Sequence, residues 1–289
     1  MDSSIGHRST WSFGYDAASA DAAHSRRPAL LRKHDHSMIE VSNLTKRYGD
    51  FTAVRDLSFA VRAGEIMGLV GPNGAGKTTT LRCATGIIPA TLGSTRLAGI
   101  DLATDPIGAK RQMAFVPDEP RLFEYLTVWQ HLNFVARLYG VTDYAPRAEA
   151  ILGDLEMADK KQLLPGELSR GMKQKLAIAC GLLHQPKVVI FDEPLTGLDP
   201  GGIRRMKGVM QRLARDGTAI ILSSHLLSLV EEVCTHLLIL KNGEKMADGT
   251  VAEVRSRFSG DADSSLEDVF FRATGDSENV APQRPDVER

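Results

Sequence analysis

The stretch Glu65–Thr79, "EIMGLVGPNGAGKTT", decides the fold. An apolar run of strand length stops at Gly71, a loop with glycines at 71, 74 and 76 follows, and Lys77 opens a helix. The spacing is G-x-x-x-x-G-K-[ST], in the strand, loop and helix setting that its chemistry requires. Glycines let successive backbone N–H groups curl around an anion, and a helix N-terminus favours negative charge. Gly71, Pro72, Asn73, Gly74, Ala75, Gly76, Lys77, Thr78 and Thr79 are therefore candidate nucleotide-phosphate contacts. Lys77 reaches toward β- and γ-phosphates, and Thr78 is a candidate Mg2+ ligand.

Working outward, "VVIFDEP" at Val188–Pro194 is a second apolar run ending in acids. It delivers Asp192 to the phosphate edge of a sheet as a second candidate metal residue, and places Glu193 one residue on as general base for an attacking water. "KVVIF", "TAIILSS" and "HLLIL" are short continuous apolar runs separated by helical segments, the pattern of parallel strands buried on both faces. Met38 opens the first strand. Between the two halves, "TVWQHLNFVARLYG" places Val128, Leu132 and Val135 on one helical face, and "DYAPRAEAILGDLEM" is expected to continue in helical register toward residue 164. The order reads as an α/β core interrupted by a helical insert.

"LPGELSRGMKQKLAIACGLL", Leu164–Leu183, is an amphipathic helix with Met172, Leu176, Ala179, Cys180 and Leu183 on its apolar face. Its start has the features of an anion site, with the Ser169 hydroxyl and a glycine at 171 beside a helix N-terminus. Asp199 precedes Pro200, a favoured first-turn residue, and is placed to cap a helix.

Length and composition set outer bounds. The 289 residues, 43% hydrophobic and 25% charged, suffice for one large domain or two small ones. A formal net charge of −1 gives no basis for a nucleic-acid partner. Cys83, Cys180 and Cys234 have neither disulfide-framework nor zinc spacing and fit a reducing compartment. No apolar run approaches the ~18 residues of a membrane span. Residues 1–37 and the tail "DSENVAPQRPDVER" read as disordered, and "LEDVFFRATG" as a last amphipathic helix.

Five motifs in order, Gly71–Thr79, "LSRGM" at Leu168–Met172, "FDEP" at Phe191–Pro194, "GLDP" at Gly197–Pro200 and "SSH" at Ser223–His225, resemble those of ATP-binding cassette ATPases. The similarity runs from about Met38 to about Arg255 and is strongest to ATPase subunits of multidrug and antibiotic exporters, the ABC-2 type. The resemblance implies a P-loop NTPase with a mostly parallel core sheet, an antiparallel β subdomain and a helical insert at about 121–184, within a nucleotide-binding domain of 38–256; residues 257–289 would be a short helix and tail. It implies ATP and Mg2+ as cofactors and two subunits, identical or not, sandwiching two ATP molecules head to tail. Ser169 and Gly171 would cap the γ-phosphate held by the other subunit. It further implies that Tyr48 stacks on adenine, that His225 contacts the γ-phosphate and that Asp199 lies at the dimer interface. A separate membrane permease would be the partner, docked near Arg121–Tyr139, with this chain on the cytoplasmic face of the membrane. Export rather than import is expected. An importer ATPase, or a regulatory and weakly catalytic ATP-binding protein, is the alternative.

Three residues depart from the family pattern. Asp118, in "FVPDEPRLF", stands where a glutamine usually contacts Mg2+; a carboxylate can ligate metal but cannot donate a hydrogen bond. In the signature segment, Arg170 replaces a common glycine and Met172 a common glutamine.

Overall fold

The computed structural model describes residues 37–258 and 265–275. The disorder expected of residues 1–36 and 276–289 lies outside the described residues.

Strands β1 (Ser37–Tyr48) and β2 (Phe51–Arg62) form a long antiparallel hairpin. It begins one residue before the expected Met38. With β4 (Leu92–Leu97) and β5 (Ile100–Asp101) it makes an antiparallel sheet of order β2-β1-β4-β5. The second sheet has the order β10-β9-β3-β8-β7-β6, with β3 (Ile66–Val70), β6 (Met113–Val116), β7 (Val188–Asp192), β8 (Ala219–Ser223), β9 (His236–Lys241) and β10 (Glu244–Thr250). All its neighbours run parallel except β10 beside β9. This is the mixed α/β architecture expected.

Residues of β3, β7 and β8 are buried along their whole length. Because successive side chains of a strand point to opposite faces, these strands serve two cores. Ile66, Val70, Val189, Phe191, Ile220 and Leu222 face a helical layer, while Met67, Leu69, Val188, Ile190 and Ile221 face the antiparallel sheet and helix α1 (Lys77–Ala84). Each fully buried aliphatic side chain contributes about 1.5–3 kcal/mol. The central sheet is thus held from both sides, and its strand ends are fixed in space.

The helical layer includes α3 (Val128–Tyr139), opened by a Thr127–Gln130 capping box and burying Val128 and Leu132, with Val135 partly buried beside them. Helix α4 (Tyr144–Asp154) does not continue to the signature segment as the sequence pattern suggested. Glu156 takes a positive φ of 53° just after the helix, and two short 3-10 turns, Ala158–Lys160 and Pro165–Glu167, carry the chain onward. Helices α5 (Arg170–Leu182) and α6 (Pro200–Arg215) follow. The expected boundary between residues 256 and 257 falls inside α8 (Val251–Phe258), and Val254 shares one core with Leu266 and Val269 of α9 (Leu266–Thr274). Helices α2 (Pro106–Arg111) and α7 (Leu227–Val233) complete the set. Among the described residues no helix is long and apolar enough to cross a membrane.

Candidate active site

The phosphate loop joins β3 to α1. Gly76 sits at the N-cap of α1 with φ 96°, and a Cβ there would stand 2.6 Å from the carbonyl oxygen of Ala53, so only glycine fits. Helix α1 has no side-chain cap at its N-terminus, as α4 and α7 have none, whereas α2, α3, α5, α6 and α9 are each capped by a side chain. Its first-turn N–H groups are left for an anion. The cleft in front of them is about 370 Å3 and is walled by Phe51, Ala53, Asn73, Gly74–Thr79 and Glu193.

Lys77 Nζ donates to the carbonyl oxygens of Gly71 at 2.6 Å and Pro72 at 3.2 Å. Burial pushes its ammonium below the usual lysine range, an effect opposed by the charges of Glu193 and Asp192. Thr78 Oγ1 lies 3.3 Å from Asp192 Oδ1, so the two hydroxyl and carboxylate oxygens singled out as metal residues meet across 114 positions of sequence. Asp192 is only 4% exposed, and Ser223 Oγ donates to the same Oδ1 at 2.7 Å. A buried carboxylate beside a hydroxyl, both hard oxygen donors, is a set that fits Mg2+.

Glu193 follows the last residue of β7 with φ 49°, a conformation rare for a residue with a side chain. Its N–H is held by Ser223 Oγ at 3.0 Å, and its Oε2 lies 2.8 Å from His225 Nδ1. The adjacent parallel strands β7 and β8, paired at Asp192 and Ser223, bring all four residues together. Ser223 was not singled out as a site residue from sequence; its signal is a polar residue closing an apolar strand. Phe51 and Phe270 were missed as well. Phe51 is 65% exposed in the cleft wall, and Phe270 of α9 lines a smaller cavity with Gly71, Pro72, Asn73 and His225.

The remaining candidates lie apart from the cleft walls. Tyr48 is half exposed at the end of β1, opposite Phe51 in register, with Lys46 Nζ 4.8 Å from its ring centre. Ser169 caps α5 by accepting from the Met172 N–H at 3.3 Å, and Asp199 caps α6 by accepting from the Gly202 N–H at 3.1 Å. Gly171 is buried: a Cβ on it would approach the Gly197 carbonyl oxygen to 2.6 Å, so the signature segment packs closely on the "GLDP" segment. Asp118, two residues past β6, accepts from Arg170 at 3.3 Å.

Residues 54–196 match the family model described as ABC transporter. Over 240 residues the chain is 36% identical to the ABC-type transporter ATP-binding protein EcsA of Bacillus subtilis, covering 82% of this chain and 97% of that protein. The chain belongs to the ABC transporter ATP-binding proteins. This ABC protein is also 36% identical over 213 residues to the Nod factor export ATP-binding protein I of Burkholderia orbicola, covering 73% of this chain and 70% of that one. A solved structure of an ATP binding subunit of an ABC transporter superposes with a TM-score of 0.79 at 34% identity, over 82% of this chain and 99% of that chain. The chain is therefore the ATP-binding subunit of an ABC transporter and an ATPase by family.

Proposed function

We propose that this ABC subunit binds Mg·ATP in the cleft in front of α1, closes on a second ATPase subunit head to tail, and hydrolyses the nucleotide to drive a separate membrane permease. The observation that carries this reading is the convergence of an uncapped helix N-terminus, Lys77, Thr78, Asp192 and Glu193 at one end of adjacent buried strands. The α1 N–H groups and Lys77 hold the phosphate chain, Lys77 exchanging its loop carbonyls for phosphate oxygens. Thr78 and Asp192 would hold the metal, with Asp118 as the third residue in this reading. Bound Mg2+ supplies charge neutralisation on the phosphates.

Glu193 orients water and takes its proton at Oε2; His225, within hydrogen-bond reach of that oxygen, fixes the carboxylate and contacts the γ-phosphate. Ser169 and Gly171 complete the partner's site, with Asp199 at the interface between the two. Tyr48 is the adenine-stacking residue in this reading.

The permease docks on the apolar groove of about 310 Å3 that includes Arg121, Phe123, Phe134, Leu138 and Tyr139. Phe123 and Phe134 meet edge to face there with centroids 5.1 Å apart, and both are exposed. Such a patch is what a partner helix covers. The subunit then works at the cytoplasmic face of the membrane, in an exporter, a direction supported by the similarity to a Nod factor export protein. The deciding experiment is the solution mass of Glu193→Gln with and without Mg·ATP. A monomer that becomes a dimer only with nucleotide is expected; tight ATP binding by a chain that stays monomeric would overturn the head-to-tail arrangement.

A further inference from the structure

Two of the residues that depart from the family pattern, far apart in sequence, touch each other. Arg170 opens α5, where the helix macrodipole is positive and a cation is disfavoured. Its guanidinium donates to Asp118 Oδ1 at 3.3 Å, and its stem packs on Gly197, where a Cβ would meet the Arg170 Cγ and Cδ at 3.3 and 3.2 Å. One turn on, Gln174, 1% exposed, donates to the Pro117 carbonyl oxygen at 3.1 Å. The start of α5 thus grips two consecutive residues of the segment that leaves β6. That segment runs beside the catalytic carboxylates, since Val116 pairs with Phe191 immediately before Asp192.

The Gln174 bond goes to a backbone carbonyl and is buried, so it fixes the segment whatever the side chain at 118. The Arg170 bond is different: both side chains are about half exposed, at 56% and 42%, and the pair is free to open. A neutral amide at 118 would have no strong preference for Arg170. A carboxylate has two competing counter-charges, the guanidinium and the cation of bound Mg·ATP.

We propose that Arg170 is a positioning residue that acts through Asp118: it holds the carboxylate on the start of α5, and Mg·ATP must draw Asp118 away from it. The inference rests on the assignment of Asp118 to the metal side of the nucleotide site. Nucleotide binding then does two things in one chain. It gathers the segment after β6 toward the phosphates, and it releases the guanidinium at the very end of α5 that faces a partner's nucleotide in the proposed dimer. The residue pair therefore couples occupation of a subunit's own site to the readiness of the half-site it offers.

The test is equilibrium titration of a fluorescent mant-ATP into the full chain, at concentrations where it is monomeric, with Mg2+ and with EDTA. A monomer leaves the partner-facing role of Arg170 unused, so any effect comes from within the chain. Arg170→Ala is expected to tighten Mg·mant-ATP binding about two- to five-fold, the scale of a partly exposed ion pair. Arg170→Lys should bind like wild type, and neither variant should change binding in EDTA. In an Asp118→Asn background the Arg170→Ala effect should vanish. An unchanged Kd for Arg170→Ala, or an equal shift in the Asp118→Asn background or in EDTA, overturns the inference while leaving the nucleotide site intact. Absence of Lys77-dependent mant-ATP binding in the wild type would overturn the site assignment itself.

Discussion

His225 Nδ1 stands 2.8 Å from Glu193 Oε2, so the imidazole and the carboxylate at the ends of β8 and β7 form one unit. The Glu193 side chain is only 19% exposed, whereas that of His225 is 61% exposed, so the carboxylate is the sheltered half of the pair. Glu193→Gln is expected to lower ATP turnover about 100- to 10,000-fold, as loss of a general base does, with nucleotide binding retained. Phosphate release and mant-ATP titration on the same preparation check it. His225→Ala should lower kcat with little effect on KM, and an equal rise in KM would argue that the histidine serves binding instead.

Ser223 is fully buried and serves two neighbours, donating to Asp192 and accepting from the Glu193 N–H. Ser223→Ala removes one of two acceptors of the Glu193 N–H, which keeps the Ser223 carbonyl oxygen at 3.2 Å, and one of two donors to Asp192 Oδ1, which keeps Thr78, at about 0.5–1.5 kcal/mol of stability per bond lost. Urea unfolding should register that loss, and turnover should fall more than tenfold. Native activity in Ser223→Ala would mean that the bond from the Glu193 N–H to the Ser223 carbonyl oxygen is enough to hold that backbone.

The Gly171 contact with Gly197 predicts a selective defect. Gly171→Ala forces its Cβ toward a backbone carbonyl 2.6 Å away, so the signature and "GLDP" segments must move apart. Mg·ATP binding by the monomer should stay within about twofold because the cleft walls lie elsewhere. Nucleotide-dependent dimerisation of Gly171→Ala in the Glu193→Gln background should be lost, as read by light scattering.

His184 stacks on Tyr139 at 3.8 Å between ring centres, and its Nε2 lies 3.2 Å from the Met113 carbonyl oxygen. Burial lowers its pKa from the usual 6.5, although the carbonyl contact opposes the shift. A base whose folded pKa is depressed binds fewer protons folded than unfolded, so its contribution is complete above about 6.5 and declines as pH falls below that value. Wild type should lose stability on acidification below pH 6.5 more steeply than His184→Gln. Parallel slopes in urea unfolding across that range would contradict the assignment.

Much of this was legible in the sequence, for reasons that differ by element. The phosphate loop could be read because its chemistry is local: Gly71–Thr79 carry both the spacing and the strand and helix around it. The β-strands were legible because burial on both faces leaves no polar interruption in "VVIF" or "AIIL". Ser223 escaped because its role depends on which strand lies beside β7, a long-range fact that no window of sequence contains. Gly171 was read as part of an anion site; that its lack of a side chain also answers a close approach to Gly197 is a long-range fact the sequence does not hold. The Arg170–Asp118 contact spans 52 positions, and each residue alone looked like an unrelated substitution. Where α4 was extended too far, the pattern persisted past the point at which a positive φ at Glu156 turned the chain.

The pairing of β7 with β8 places Asp192 level with Ser223. A slip of one residue between them would turn the carboxylate to the opposite side of the sheet. The reaction is therefore written into an alignment, and the mass of helices on the far side serves as ballast that keeps it true. A designer could rebuild the exposed faces of α4 and α6 widely, provided that this one alignment is preserved.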